Sequence, residues 1–91
     1  MIKWKHKPTG NCPIQAEGWF NGHYFYFRSR HSQSTIEFFK SEEDWVKYDN
    51  VTKYVLLTID SPEAGWLPKW ICKLLIWRGC IKFLFKRNKT I

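Results

Sequence analysis

The stretch Ile14-Gln15-Ala16-Glu17-Gly18-Trp19-Phe20-Asn21-Gly22-His23-Tyr24-Phe25-Tyr26-Phe27-Arg28-Ser29-Arg30 decides how the chain folds. Asn21-Gly22 sits between two aromatic-rich runs, and both residues tolerate the positive φ of a type I′ turn, whose twist suits a two-residue hairpin. That turn sets the register. Phe20 pairs with His23, Trp19 with Tyr24, Gly18 with Phe25, Glu17 with Tyr26, Ala16 with Phe27 and Gln15 with Arg28. Alternate residues share a face of the sheet, so Ile14, Ala16, Gly18 and Phe20 lie with Ser29, Phe27, Phe25 and His23. Small residues opposite phenylalanines mark this as the core face. The other face gathers Gln15, Glu17, Trp19, Tyr24, Tyr26, Arg28 and Arg30 and is expected to look outward.

A third strand fits if His31 to Ser34 form a four-residue loop. Thr35 then meets Arg30, Ile36 meets Ser29, Glu37 meets Arg28 and Phe38 meets Phe27, which joins apolar to apolar and carboxylate to guanidinium. The meander runs to Lys40. Ser41 is a hydroxyl N-cap, and Glu42, Glu43 and Asp44 favour the positive end of a short helix over Glu42 to Tyr48. Trp45 and Tyr48, three apart, form its expected buried side. Asp49-Asn50 is a turn signal, and Val51 to Ile59 is β-branched and apolar enough for a fourth strand.

Asp60 to Gly65 reads as a loop. Pro68 then suits a first helical turn and Gly79 a helix end, and between them Trp70, Ile71, Leu74, Leu75 and Trp77 recur at helical spacing. Lys69, Lys73 and Arg78 fall largely outside that stripe. Ile81 to Phe85 fits either a last strand or a continuation of the helix. Met1 to Pro13 and Lys86 to Ile91 read as tails, with Trp4 either docked as a short edge strand or loosely packed. The expectation is an α+β fold: a three-strand antiparallel meander plus a fourth strand, with a C-terminal amphipathic helix on the Phe25/Phe27/Phe38 face and the other face left open.

At 91 residues the chain is expected to be a single domain over 1–91. Aromatics at 19% give so small a core a large apolar content per residue. The net charge of +7 is uneven: residues 67–91 hold seven Lys or Arg and no acid, whereas residues 1–66 balance eight against eight. A basic end suits an anionic partner, and it also keeps an aromatic-rich helix in solution. Cys12, Cys72 and Cys80 are odd in number and lack paired spacing, which argues for a reducing compartment. With no apolar run behind the first lysines, no signal peptide is read, and a cytoplasmic location is expected.

The outward face offers three π-faces, Trp19, Tyr24 and Tyr26, and two cations, Arg28 and Arg30. That is the composition of a stacking platform for single-stranded nucleic acid, where each base contributes roughly 1–3 kcal/mol. It is also that of a protein-binding anchor. The basic patch Lys69, Lys73, Arg78, Lys82, Lys86 and Arg87, set beside Trp70 and Trp77, would suit an anionic membrane surface. The more ordinary reading is that the apolar stripe packs on the sheet, so a membrane is the less expected partner. His6, Cys12, His23, His31, Cys72 and Cys80 lack metal-ligand spacing, and no nucleophile has a base fixed beside it, so neither metal, cofactor nor enzymatic activity is expected.

Pro13-Ile14-Gln15-Ala16-Glu17-Gly18, Asn21-Gly22 and Phe25-Tyr26-Phe27-Arg28-Ser29-Arg30 resemble a hairpin pattern found in small uncharacterised proteins of bacteria and their phages. The pattern is Pro-Val-Gln-Ala-Glu-Gly, a short turn, and Phe-Tyr-Phe-Arg-Ala-Arg. Ile14 stands for the valine and Ser29 for the alanine. The likeness covers about a fifth of the chain, implies a phage or prophage origin, and assigns no residue a role. A small phage protein without catalytic residues is expected to act by occupying a host protein or protein complex. Defence components are one such target, since anti-CRISPR proteins are of similar size. Single-stranded nucleic acid is the alternative partner, and an open sheet edge makes a homodimer a further expectation.

Overall fold

Asn21 and Gly22 adopt φ values of 54° and 82°, and the hairpin they turn has the expected register from Ile14↔Ser29 to Phe20↔His23. The structure, a computed structural model, describes residues 2–10, 13–30, 33–48, 51–58 and 67–89, the last four as backbone. Its elements are β1 (Ile2–Thr9), β2 (Ile14–Phe20), β3 (His23–Arg30), β4 (Gln33–Phe39), α1 (Glu42–Lys47), β5 (Thr52–Thr58) and α2 (Lys69–Lys89). The five strands form one antiparallel sheet in the order β1-β2-β3-β4-β5. The fold is α+β, as the hydrophobic pattern implies, with five strands rather than four.

The fifth strand is the supposed N-terminal tail. Ile2 and Trp4 turn toward the core, and the Trp4 indole meets the Phe25 ring edge-on at 5.9 Å. Gly18 makes this approach feasible: a Cβ there would stand 2.3 Å from the Lys3 carbonyl oxygen. Lys3, Lys5 and Lys7 are exposed along this edge, and the pairing with β2 is irregular after Trp4 and again after His6. Charged side chains and register breaks both hinder another strand from adding to a sheet edge.

The β3–β4 register differs from the expected one by two residues. Arg30 pairs with Gln33, Ser29 with Ser34, Arg28 with Thr35, Phe27 with Ile36, Tyr26 with Glu37 and Phe25 with Phe38, which leaves two residues, not four, between the strands. A slip of two keeps every side chain on its face, so alternation alone does not discriminate the registers. The cross-strand pair distinguishes them: the Ser29 and Ser34 hydroxyls, both fully buried, share a 2.6 Å hydrogen bond in the observed register.

The helix α2 lies on the face that carries Ile14, Ala16, Phe20, Phe25, Phe27, Ile36 and Phe38, all at most 3% exposed. Cys72, Ile76, Cys80 and Phe83 enter that core, and Phe83 stacks on Phe38 at 4.3 Å with an interplanar angle of 12°. The stripe expected to be buried is only half right. Ile71 and Leu75 are half-buried, Trp70 and Leu74 point away from the sheet, and Trp77, 43% exposed, leans on its rim with its ring edge-on to Phe20 at 6.3 Å. Gly79 does not end the helix: it continues through Ile81–Phe85 and into the expected C-terminal tail as far as Lys89. The expected turn at Asp49-Asn50, the loop Asp60–Gly65, and Cys12 and His31 lie outside the described residues.

Candidate functional site

The second face of the sheet is not open, because α1 covers part of it. Ser41 caps α1 by accepting the Asp44 N–H at 3.3 Å, three acids fill its first turn, and Tyr48 ends it in the left-handed region at φ 52°. These ends hold a six-residue helix that buries no residue fully, and they set Trp45 on the sheet. The Trp45 ring lies 5.6 Å from Tyr24 and 5.7 Å from Tyr26.

This contact divides the expected binding face. Tyr24 is fully buried and donates its hydroxyl to Glu17, while Lys5 reaches over its ring and pairs with Glu42 of α1. Burial, then that hydrogen bond, raise the Tyr24 pKa. Trp19 is half-buried beside Tyr24, with the Lys3 ammonium over its ring. The platform Trp19/Tyr24/Tyr26 is therefore not an open stacking surface. Tyr24 is sealed because a phenylalanine-lined sheet this small gains from covering an aromatic on its second face as well.

What stays open is a cleft of about 640 Å³ beyond Trp45. Tyr26 and Arg28 of β3, Thr35 and Glu37 of β4, Lys53 of β5, and Trp45, Val46 and Tyr48 from α1 and its C-cap line it. Tyr48 donates to Glu37 Oε2 at 2.5 Å, and this bond, with some desolvation, raises the Tyr48 pKa. Glu37 is only 9% exposed and lies across the ladder from Tyr26 on one side and Lys53 on the other. Tyr26 is also raised, chiefly by desolvation, with Arg28 opposing the shift. The Arg28 Nε is buried with no hydrogen-bond partner among the described residues. Neutral phenols, a committed carboxylate and an unsatisfied guanidinium N–H suit recognition of an anionic planar group, and the lining contains no histidine, cysteine or serine.

Of the residues the sequence singles out, Tyr26 and Arg28 come together here, whereas Arg30 is exposed at the far end of β3. Glu37, Trp45, Tyr48 and Lys53 complete the cleft. The spacing of Trp45 and Tyr48 marks them as one side of a helix but does not reveal that this side faces Tyr26. The basic residues lie elsewhere: Lys73, Arg78 and Lys82 are exposed on α2, across the sheet from the cleft, and Lys69 donates to the Gly10 carbonyl at 2.8 Å. The side chains of Lys86 and Arg87 lie outside the described residues. Cys72 and Cys80 are core thiols raised by burial, Cys80 to about 12, which removes them from nucleophilic chemistry near neutrality. Among the described residues no three His, Cys, Asp or Glu side chains gather around a point where a metal ion would sit. No protein-family model, curated protein or solved structure matches the chain.

Proposed function

We propose that this chain is a non-enzymatic binding protein that acts by occupying a host protein or protein complex through the cleft between α1 and the β3–β4–β5 face. The observation that carries this reading is Arg28. Its buried Nε–H has no hydrogen-bond partner among the described residues, while Tyr26, Trp45 and Tyr48 stand around the same cleft. A buried, unsatisfied donor is costly, which favours turning the Arg28 guanidinium out to meet a partner's carboxylate between the aromatic walls. Tyrosine, tryptophan and arginine are also the residues that most often dominate protein interfaces.

The hairpin's likeness to small phage-associated proteins supports a bacterial target. A defence component blocked by occupation, as anti-CRISPR proteins block theirs, fits that origin. Single-stranded nucleic acid is supported less, because the sealed Tyr24 removes a stacking surface and the basic helix faces away from the cleft. The test is a pull-down from bacterial lysate, with and without nuclease, comparing wild type with Tyr26→Ala/Arg28→Ala. One protein retained by the wild type in both lysates and lost with the variant supports the proposal. Recovery only before nuclease treatment favours nucleic acid, and a variant that binds like wild type overturns the cleft as the site.

A further inference from the structure

The helix α2 carries two apolar faces, and the sheet covers only one. Cys72, Ile76, Cys80 and Phe83 recur every three or four residues and point into the core. Trp70, Leu74, Ile81 and Phe85 recur on the opposite side and are 65%, 58%, 48% and 61% exposed, and Trp77, 43% exposed, borders them with its ring edge-on to Phe20. At 100° per residue, Lys73 falls on one flank of this outer stripe, with Arg78 and Lys82 on the other. All three are exposed. The stripe runs about 22 Å along the helix at 1.5 Å per residue. Four large apolar side chains in one line on the outside of so small a protein, with Trp77 at their edge, mark a contact surface.

We infer that the outer face of α2 docks in the plane of an anionic lipid surface. Charge selects this occupant. Residues 67–91 contain seven Lys or Arg and no acid, so a second copy pairing helix to helix would bring basic flank against basic flank. Side-chain type agrees. Tryptophan is wide and amphipathic, poorly shaped as a knob between two helices but well suited to the headgroup boundary, and lysine and arginine beside it reach up to lipid phosphates. No described helix is long and apolar enough to cross a membrane, so the contact is a surface one. The inner face stays on the sheet throughout, and docking requires no unfolding.

Co-sedimentation of the full chain with vesicles tests this. Wild type pellets with vesicles of phosphatidylglycerol and phosphatidylcholine and stays in solution with phosphatidylcholine alone. Lys73→Glu/Lys82→Glu and, separately, Trp70→Ser/Leu74→Ser each lower the partition coefficient roughly tenfold or more. All four side chains point outward, so both variants melt like wild type. Wild type left in the supernatant with anionic vesicles overturns the inference, as does equal binding to both vesicle types or full binding by the Trp70→Ser/Leu74→Ser protein. A concentration-dependent dimer that Leu74→Ser abolishes, with no vesicle binding, also overturns it and assigns the stripe to self-association.

Discussion

Gly79 of α2 lies against Ile36 of β4 so closely that a Cβ on the glycine would stand 2.6 Å from the Ile36 Cγ2. Ile36 is fully buried, and its branched side chain has little freedom to turn aside. The glycine therefore permits a close approach of helix and sheet and is not a helix stop. Alanine gains about 1 kcal/mol of helix preference over glycine, but overpacking a core costs about 1–3 kcal/mol. Gly79→Ala is expected to lower stability by about 1 kcal/mol in urea unfolding. In an Ile36→Ala background the same substitution should be neutral or stabilising. A Gly79→Ala protein more stable than wild type would contradict this packing.

Removing residues 1–9 should do far more harm than trimming a tail. It uncovers Phe25, strips the partner from β2, and leaves a sheet edge without Lys3, Lys5 and Lys7. The truncated chain is expected to lose its cooperative thermal transition in circular dichroism or to aggregate. Wild-type melting would mean that β1 contributes nothing to the sheet.

Stability and binding should separate at Arg28. Arg28→Met keeps the aliphatic stem and removes a buried N–H that has no partner among the described residues, so unfolding free energy should stay level or rise by up to about 1 kcal/mol. Binding of the pull-down target should be lost all the same. A strongly destabilised Arg28→Met protein would show that the guanidinium serves the fold instead.

Stability should fall on the alkaline side. The Cys80 thiol is raised from the ordinary 9.0 to about 12 by burial, so between those values the unfolded chain releases a proton that the folded chain keeps. A group raised in this way contributes fully below its unfolded pKa and loses that contribution as pH rises toward its folded one. Cys72, Tyr24 and Tyr26 shift in the same direction, again with burial as the main cause. Urea midpoints should therefore decline from about pH 8 to about pH 11, and less steeply in Cys80→Ala. Equal slopes in the two proteins would show that this thiol does not stay protonated in the fold.

The Asn21-Gly22 turn, the alternation around it, the Ser41 cap and the 3.6-residue recurrence after Pro68 are local properties of the chain. They were enough to derive the hairpin register, the α1 span to within a residue, four of the five strands and the α+β class. They also put Tyr26 and Arg28, two of the eight residues that line the cleft, on the same outward face. Three matters depended on contacts between residues far apart in sequence: the recruitment of Ile2–Thr9 against Gly18, the passage of α2 through Gly79, and the placing of Trp45 over Tyr24 and Tyr26. The two-residue slip of β4 is a nearer matter, a Ser29–Ser34 pairing that alternation does not reveal. Periodicity assigns a side chain to a face but does not say which element will cover that face. For a helix apolar on two sides, only packing against the sheet decided that Cys72, Ile76, Cys80 and Phe83 go in, while Trp70 and Leu74 stay out.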